Sequence, residues 1–151
     1  MAGLVLVDAP HEDRDSQFLA LLPPQAPTEA PTLTGLRHML TQAKQDPAQM
    51  PEGMDLLTTE AQVRAAGSLG ARSLVVLTAG RPHPVLADLP ADVAIRVGQL
   101  VQDGQRDLAG LSSRSRHIIA HESGHHIQLD QPEMVIDAIR QVVEAVRGTN
   151  W

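Results

Sequence analysis

Cysteine is absent from the 151 residues, so neither a disulfide framework nor thiolate chemistry is available. Aromatic residues are almost missing too: tyrosine is absent, and Phe18 and Trp151 are the single phenylalanine and tryptophan. Any core must therefore be aliphatic. There is no excess of positive charge. The 12 Lys and Arg stand against 18 Asp and Glu, for a net charge of −6, and no basic patch with interleaved aromatics occurs. That balance argues against a nucleic-acid partner. No apolar run approaches the roughly 20 residues needed to span a bilayer. No charged segment followed by an apolar one marks a signal peptide, and no internal repeat is visible. The expected partners include neither nucleic acid nor membrane, and the expected compartment is the cytoplasm.

What remains is an aliphatic chain, 42% apolar, of a length suited to one domain spanning 1–151. Leu4 to Val7 is a continuous apolar run, the pattern of a parallel strand covered on both faces. Asp8 ends that run. Residues 23–31 carry four prolines and read as a linker or lid connection. A helix is expected from Leu33 to Lys44, with Leu33, Leu36, Leu40 and Ala43 on one side, and another from Thr58 to Ala66. Ser73 to Gly80 reads as a second buried strand. Residues 91–111 read as a helix with Val93, Val97, Leu100, Val101 and Leu108 as apolar points, interrupted around Gly104. A third strand is expected at about 116–121 and a last helix at 132–147. The order implies an α/β fold: three parallel strands at about 3–9, 73–79 and 116–121, flanked by helices, with a helical insertion at about 15–57.

The stretch from Arg116 to Ile139 concentrates the chemistry, holding four of the seven histidines. It supports two incompatible readings. His121-Glu122-Ser123-Gly124-His125 is a literal H-E-x-x-H, the pair of ligands and the general base of a zinc hydrolase, if these residues are helical. Glu144 would be the candidate third ligand. However, His117-Ile118-Ile119 is strand-like and Gly124 weakens a helix. Glu144 also falls on a polar stripe with Glu133, Asp137 and Arg140, opposite an apolar stripe of Val135, Ile139, Val142 and Val146. The other reading is a strand, a loop carrying one functional histidine, and a helix opened by Asp130-Gln131-Pro132-Glu133. A plainer alternative is that these histidines only decorate a loop. No metal or other cofactor is expected on the favoured reading.

Two segments carry a resemblance. SGHHIQLDQPEMVIDAI resembles the C-terminal end of the α/β-hydrolase fold, where a Gly-His after the last strand supplies the base of a catalytic triad. GLVLVDAPHED resembles the strand that follows the nucleophile-bearing helix of that family. The resemblance implies that His125 is the base, with His121 and His126 as neighbours without a catalytic role. It also implies that residues 15–57 correspond to a cap over the pocket. The family's usual Asp-Pro after the second strand is replaced by Gly80-Arg81-Pro82-His83-Pro84, so the acid is assigned to Asp8, which matches a position some members use. Asp88 is the second choice. The acid would orient His125 and stabilise the imidazolium as it forms.

The nucleophile is missing from this pattern. No G-x-S-x-G occurs in the chain. Ala66-Gly67-Ser68-Leu69-Gly70 matches the variant A-x-S-x-G, but an elbow must follow a strand and open a helix. Ser68 instead follows a helix and precedes a strand. The implied function is an esterase-like hydrolase acting on an ester or related acyl substrate, represented by its C-terminal half. The alternative is a non-catalytic binding or assembly module on the same half-fold. In either case the strand at 3–9 would present an apolar edge. The expected partner at that edge is a second copy or a complementing N-terminal half.

Overall fold

The computed structural model describes residues 2–50 and 53–148, and within them the chain forms two compact units. The first comprises residues 2–11, 68–83 and 102–148. It holds a three-stranded parallel sheet in the order β1 (Gly3–Val7), β2 (Ser73–Ala79), β3 (Ser115–Ala120). Register pairs Val7 with Leu77, and Leu77 in turn with Ile118. As its apolar pattern requires, β2 is central: Leu74, Val75, Val76 and Leu77 are fully buried.

Alternation along the strands feeds two aliphatic layers. Val75 and Leu77, with Val5, Val7, Ile118 and Ala120, pack under α6 (Pro132–Val146) and α5 (Ile127–Asp130). Leu74 and Val76, with Leu4, Leu6 and Ala9, pack against Leu108 of α4 (Ala91–Gly110) on the opposite face. The expected break of α4 at Gly104 is absent. A Cβ there would lie 3.0 Å from the His11 Cβ, so glycine serves a close approach of chain to helix rather than a helix stop.

The contact face of α6 differs from the expected stripe. Ala138 and Val142 are buried and Met134 and Val135 pack beside them, whereas Ile139 and Val146 stand 50% and 48% exposed. The apolar arc of this helix is wide, so its pattern allows more than one seating. The small Ala138 sets the approach, and Val142 packs over Gly3, where a Cβ would lie 2.5 Å from the Val142 Cγ1. Ile136, Ile139 and Val143 are left facing outward, and Val146 is half-exposed with its Cγ2 3.4 Å from the same Gly3 Cβ position.

The second unit comprises residues 12–67 and 84–101, so it takes in more of the chain than 15–57. It contains α1 (Arg14–Leu21), α2 (Pro31–Thr41), α3 (Leu56–Ala66) and the first half of α4. The expected helix from Leu33 to Lys44 ends earlier, at Thr41, and two short 3-10 turns follow, at Ala43–Gln45 and Pro47–Gln49. Phe18, Leu22, Leu33, Leu89, Val93 and Val97 form the core of this unit. Lys44 is buried there and paired with Asp15 at 3.6 Å and Glu60 at 2.5 Å, which ties α1, the first 3-10 turn and α3 together. Asp55 caps α3 by accepting from the Thr58 N–H at 3.0 Å. Among the described residues no helix is long and apolar enough to cross a membrane. Met1, Pro51, Glu52 and the tail from Thr149 to Trp151 lie outside the described residues.

Candidate functional site

The carboxyl ends of β1, β2 and β3 meet in one corner of the sheet unit, where a parallel sheet presents its loops. Asp8 follows β1 directly. Its φ is +43°, and it is the one non-glycine residue with positive φ among those described. Aspartate tolerates this left-handed region better than most residues, but the conformation still costs on the order of 1 kcal/mol. Three contacts hold it. The Asp8 N–H donates to the Leu77 carbonyl at 2.7 Å, the Oδ1 accepts from the Ala79 N–H at 2.9 Å, and the Oδ2 lies 2.8 Å from the His125 Nδ1.

His125 sits on the loop after β3, and that loop is fixed by three neighbours. Asp130 accepts from the Gly124 N–H at 2.9 Å, and the buried Ser123 hydroxyl lies 2.8 Å from the Gly124 carbonyl and 3.3 Å from the Asp130 Oδ2. The Ser123 carbonyl accepts from the Arg81 N–H at 2.9 Å. Gly80 lies so close to the end of β3 that a Cβ would sit 2.5 Å from the His121 Cα. An ionised carboxylate can only accept, so Asp8 holds the Nδ1–H of His125 and leaves the lone pair on Nε2. Among the described residues no hydrogen bond reaches that Nε2, and about half of the side chain is exposed. This geometry leaves a basic nitrogen aimed outward and oriented from behind.

The structure brings Asp8 and His125 together. The second-choice acid, Asp88, belongs to the helical unit, where it accepts from the Thr32 hydroxyl. His126 packs beside His125 with ring centroids 5.1 Å apart, and His121 is exposed on the turn. The zinc reading loses its foundation. Residues 115–120 are strand and 121–126 are a turn and an irregular loop, so His121, Glu122 and His125 share no helix face, and Glu144 is exposed. Ser68 lies in a loop, donating to the Leu111 carbonyl at 3.2 Å and accepting from the Gly70 N–H at 3.0 Å, and does not form an elbow. The last helix opens in the expected stretch, with Pro132 in its first turn; Gln131 takes the N-cap position without a side-chain bond, and Asp130 ends α5.

A second polar group lies under this corner. Thr78, fully buried on β2, contacts the Gln105 Oε1 at 3.0 Å and the His117 Nε2 at 2.8 Å. The Gln105 Nε2 donates to the Ala9 carbonyl at 2.7 Å. Partial burial, aided by the Arg106 guanidinium, holds the His117 imidazole below its ordinary pKa of 6.5. Its folded pKa is thus lower than its unfolded one. As pH falls through 6.5 the unfolded chain takes up a proton that the folded chain holds off, so stability drops until the lowered value is passed. Urea midpoints at about pH 8 and about pH 5 should differ more for the native chain than for His117→Gln, which has no such group to protonate. Equal differences would remove His117 from the acid sensitivity.

Compared with protein-family models, curated proteins and solved structures, the chain matches none.

Proposed function

We propose that this chain carries the acid–base part of a serine-type acyl hydrolase of the α/β-hydrolase kind, with His125 as general base and Asp8 as the carboxylate that orients it. The observation that supports it most is the 2.8 Å contact of the Asp8 Oδ2 with the His125 Nδ1, across 117 residues of sequence. The strained backbone of Asp8 and the parallel order β1-β2-β3 support it as well. In the reaction, a serine hydroxyl attacks an ester or related acyl carbonyl while the His125 Nε2 takes its proton. Asp8 stabilises the imidazolium, and the proton passes to the leaving alkoxide when the carbon–oxygen bond breaks. Water repeats the sequence on the acyl-enzyme. The 151 residues contain no serine elbow, so the nucleophile and the oxyanion donors come from another segment or chain.

Among the described residues no strand pairs with the outer edge of β1, whose residues are all half-buried. Beside it, α6 turns Ile136, Ile139 and Val143 outward. Both features favour association at this edge, with a chain supplying the nucleophile or with a second copy. Light scattering of the purified chain should find dimers or larger species; a monomer persisting at high concentration would argue against self-association. The same surface favours a second reading, a binding module without catalysis.

The test is made on the tagged chain recovered from its native cells. A co-purifying chain should be labelled on serine by a fluorophosphonate probe. His125→Ala in the tagged chain should slow that labelling by about 10²–10⁴-fold, the usual worth of a general base. Labelling that ignores the substitution, or a partner without a reactive serine, would leave the binding module as the better reading.

A further inference from the structure

The polar group beneath Asp8 has a direction that can be derived from its ends. The Ala9 carbonyl can only accept, so Gln105 must present its amide N–H there, at 2.7 Å. The Gln105 Oε1 is thereby turned to Thr78, whose hydroxyl donates to it at 3.0 Å. That hydroxyl has one hydrogen and has used it. Toward His117, 2.8 Å away, it must accept, so His117 carries its proton on Nε2. The chain runs from His117 through Thr78 and Gln105 to the carbonyl of the residue that follows Asp8.

We propose that Gln105 is a positioning residue for Asp8, and through Asp8 for the His125 imidazole, with Thr78 and His117 completing the hydrogen bonds behind its amide. This rests on the reading of Asp8 and His125 as an acid–base pair. A non-glycine residue stays at positive φ only where its surroundings over-determine it. The β1 ladder restrains Asp8 from the preceding side, and the Ala79 N–H restrains its carboxylate. On the following side, the restraint is the Gln105 amide on Ala9. Gln105 is 4% exposed and stands on α4, a regular helix of 20 residues, so it is a rigid clamp. Without it, Ala9 keeps only its apolar contact in the layer beneath α4, which does not fix its carbonyl, and it can shift. Asp8 can then relax toward negative φ, which turns its Oδ2 away from the Nδ1 of His125 while β1 keeps its register.

The readout is the tautomer of His125 in the full chain, taken from long-range 1H–15N spectra of the neutral imidazole. Native protein should hold the proton mainly on Nδ1, and Asp8→Ala should move it toward Nε2. Gln105→Leu should lower the ratio of Nδ1–H to Nε2–H by about threefold or more, as expected when part of one hydrogen bond is lost. A merely structural role for Gln105 would lower the unfolding midpoint and leave the ratio alone. His117→Gln, which restores an amide N–H near the Nε2 position, should keep the native ratio. An unchanged ratio in folded Gln105→Leu overturns the proposal. Should that variant not fold, an unchanged ratio in Gln105→Met, which keeps the length of the side chain without the amide N–H, overturns it instead. Native protein resembling Asp8→Ala would remove the dyad itself, and this inference with it.

Discussion

Gly80→Ala is expected to be among the most damaging single substitutions in this chain, at about 3 kcal/mol of lost stability. The added methyl would stand 2.5 Å from the His121 Cα, 2.8 Å from the Ala120 carbonyl oxygen and 3.0 Å from the His121 carbonyl carbon. All three are backbone atoms, so no side-chain rotation can make room. The Gly80 N–H donates to that same Ala120 oxygen at 2.9 Å, which means the strand ends must separate and the bond must lengthen. For a small domain holding about 5–15 kcal/mol in total, this is a large share. The loop that carries His125 begins at His121, so the dyad should be lost along with stability. Gly98→Ala gives the opposite sign as a control. Nothing lies within 4 Å of its Cβ position in α4, and alanine there should add about 0.5–1 kcal/mol of stability. Denaturant midpoints of the two variants check both signs, and a Gly80→Ala midpoint equal to native would contradict the packing at the strand ends.

Asp8→Asn is expected to separate function from stability. Asparagine accepts the left-handed backbone as readily as aspartate. The N–H of Ala79 can only donate, so it selects the amide oxygen and leaves the NH2 end facing His125. Two donors cannot face one another, so the Nδ1 of His125 must give up its proton and accept. Its hydrogen then sits on Nε2, where the base needs its lone pair. Stability should change by less than about 1 kcal/mol, since the Ala79 bond is kept and the His125 bond survives with reversed polarity. Phosphonate labelling of the serine partner should fall by about 10²–10⁴-fold. The imidazole tautomer, read in the isolated chain, should invert. Full labelling with an inverted tautomer would exclude His125 as the base.

Some of this arrangement is legible in the residues themselves. The run Leu74 to Leu77, apolar at every position, is readable as a strand covered on both faces and occupies the centre of the sheet. His117-Ile118-Ile119 reads as strand and Gly124 weakens a helix, and together they argue against the helix on which the H-E-x-x-H depends. Gln105 carries only a faint signal in the sequence. It lies four residues beyond Val101 and three before Leu108, so a carboxamide interrupts the apolar face of α4. A buried polar side chain there needs partners, but the spacing does not say which.

The sequence by itself determined the type and order of the elements, because helical and strand periodicities and the prolines and glycines that end them are local properties. It also determined that no thiol and no serine elbow are available and that Phe18 and Trp151 are the sole large aromatics. Tertiary structure alone decided the seating of α6, since several apolar arcs compete on one wide face and Ala138 and Gly3 select between them through steric fit. It alone brought Asp8 to His125 and tied Ala9 through Gln105 and Thr78 to His117. Hydrogen bonds of that kind depend on distances set by the packing of whole elements, and packing joins residues that are far apart in the chain.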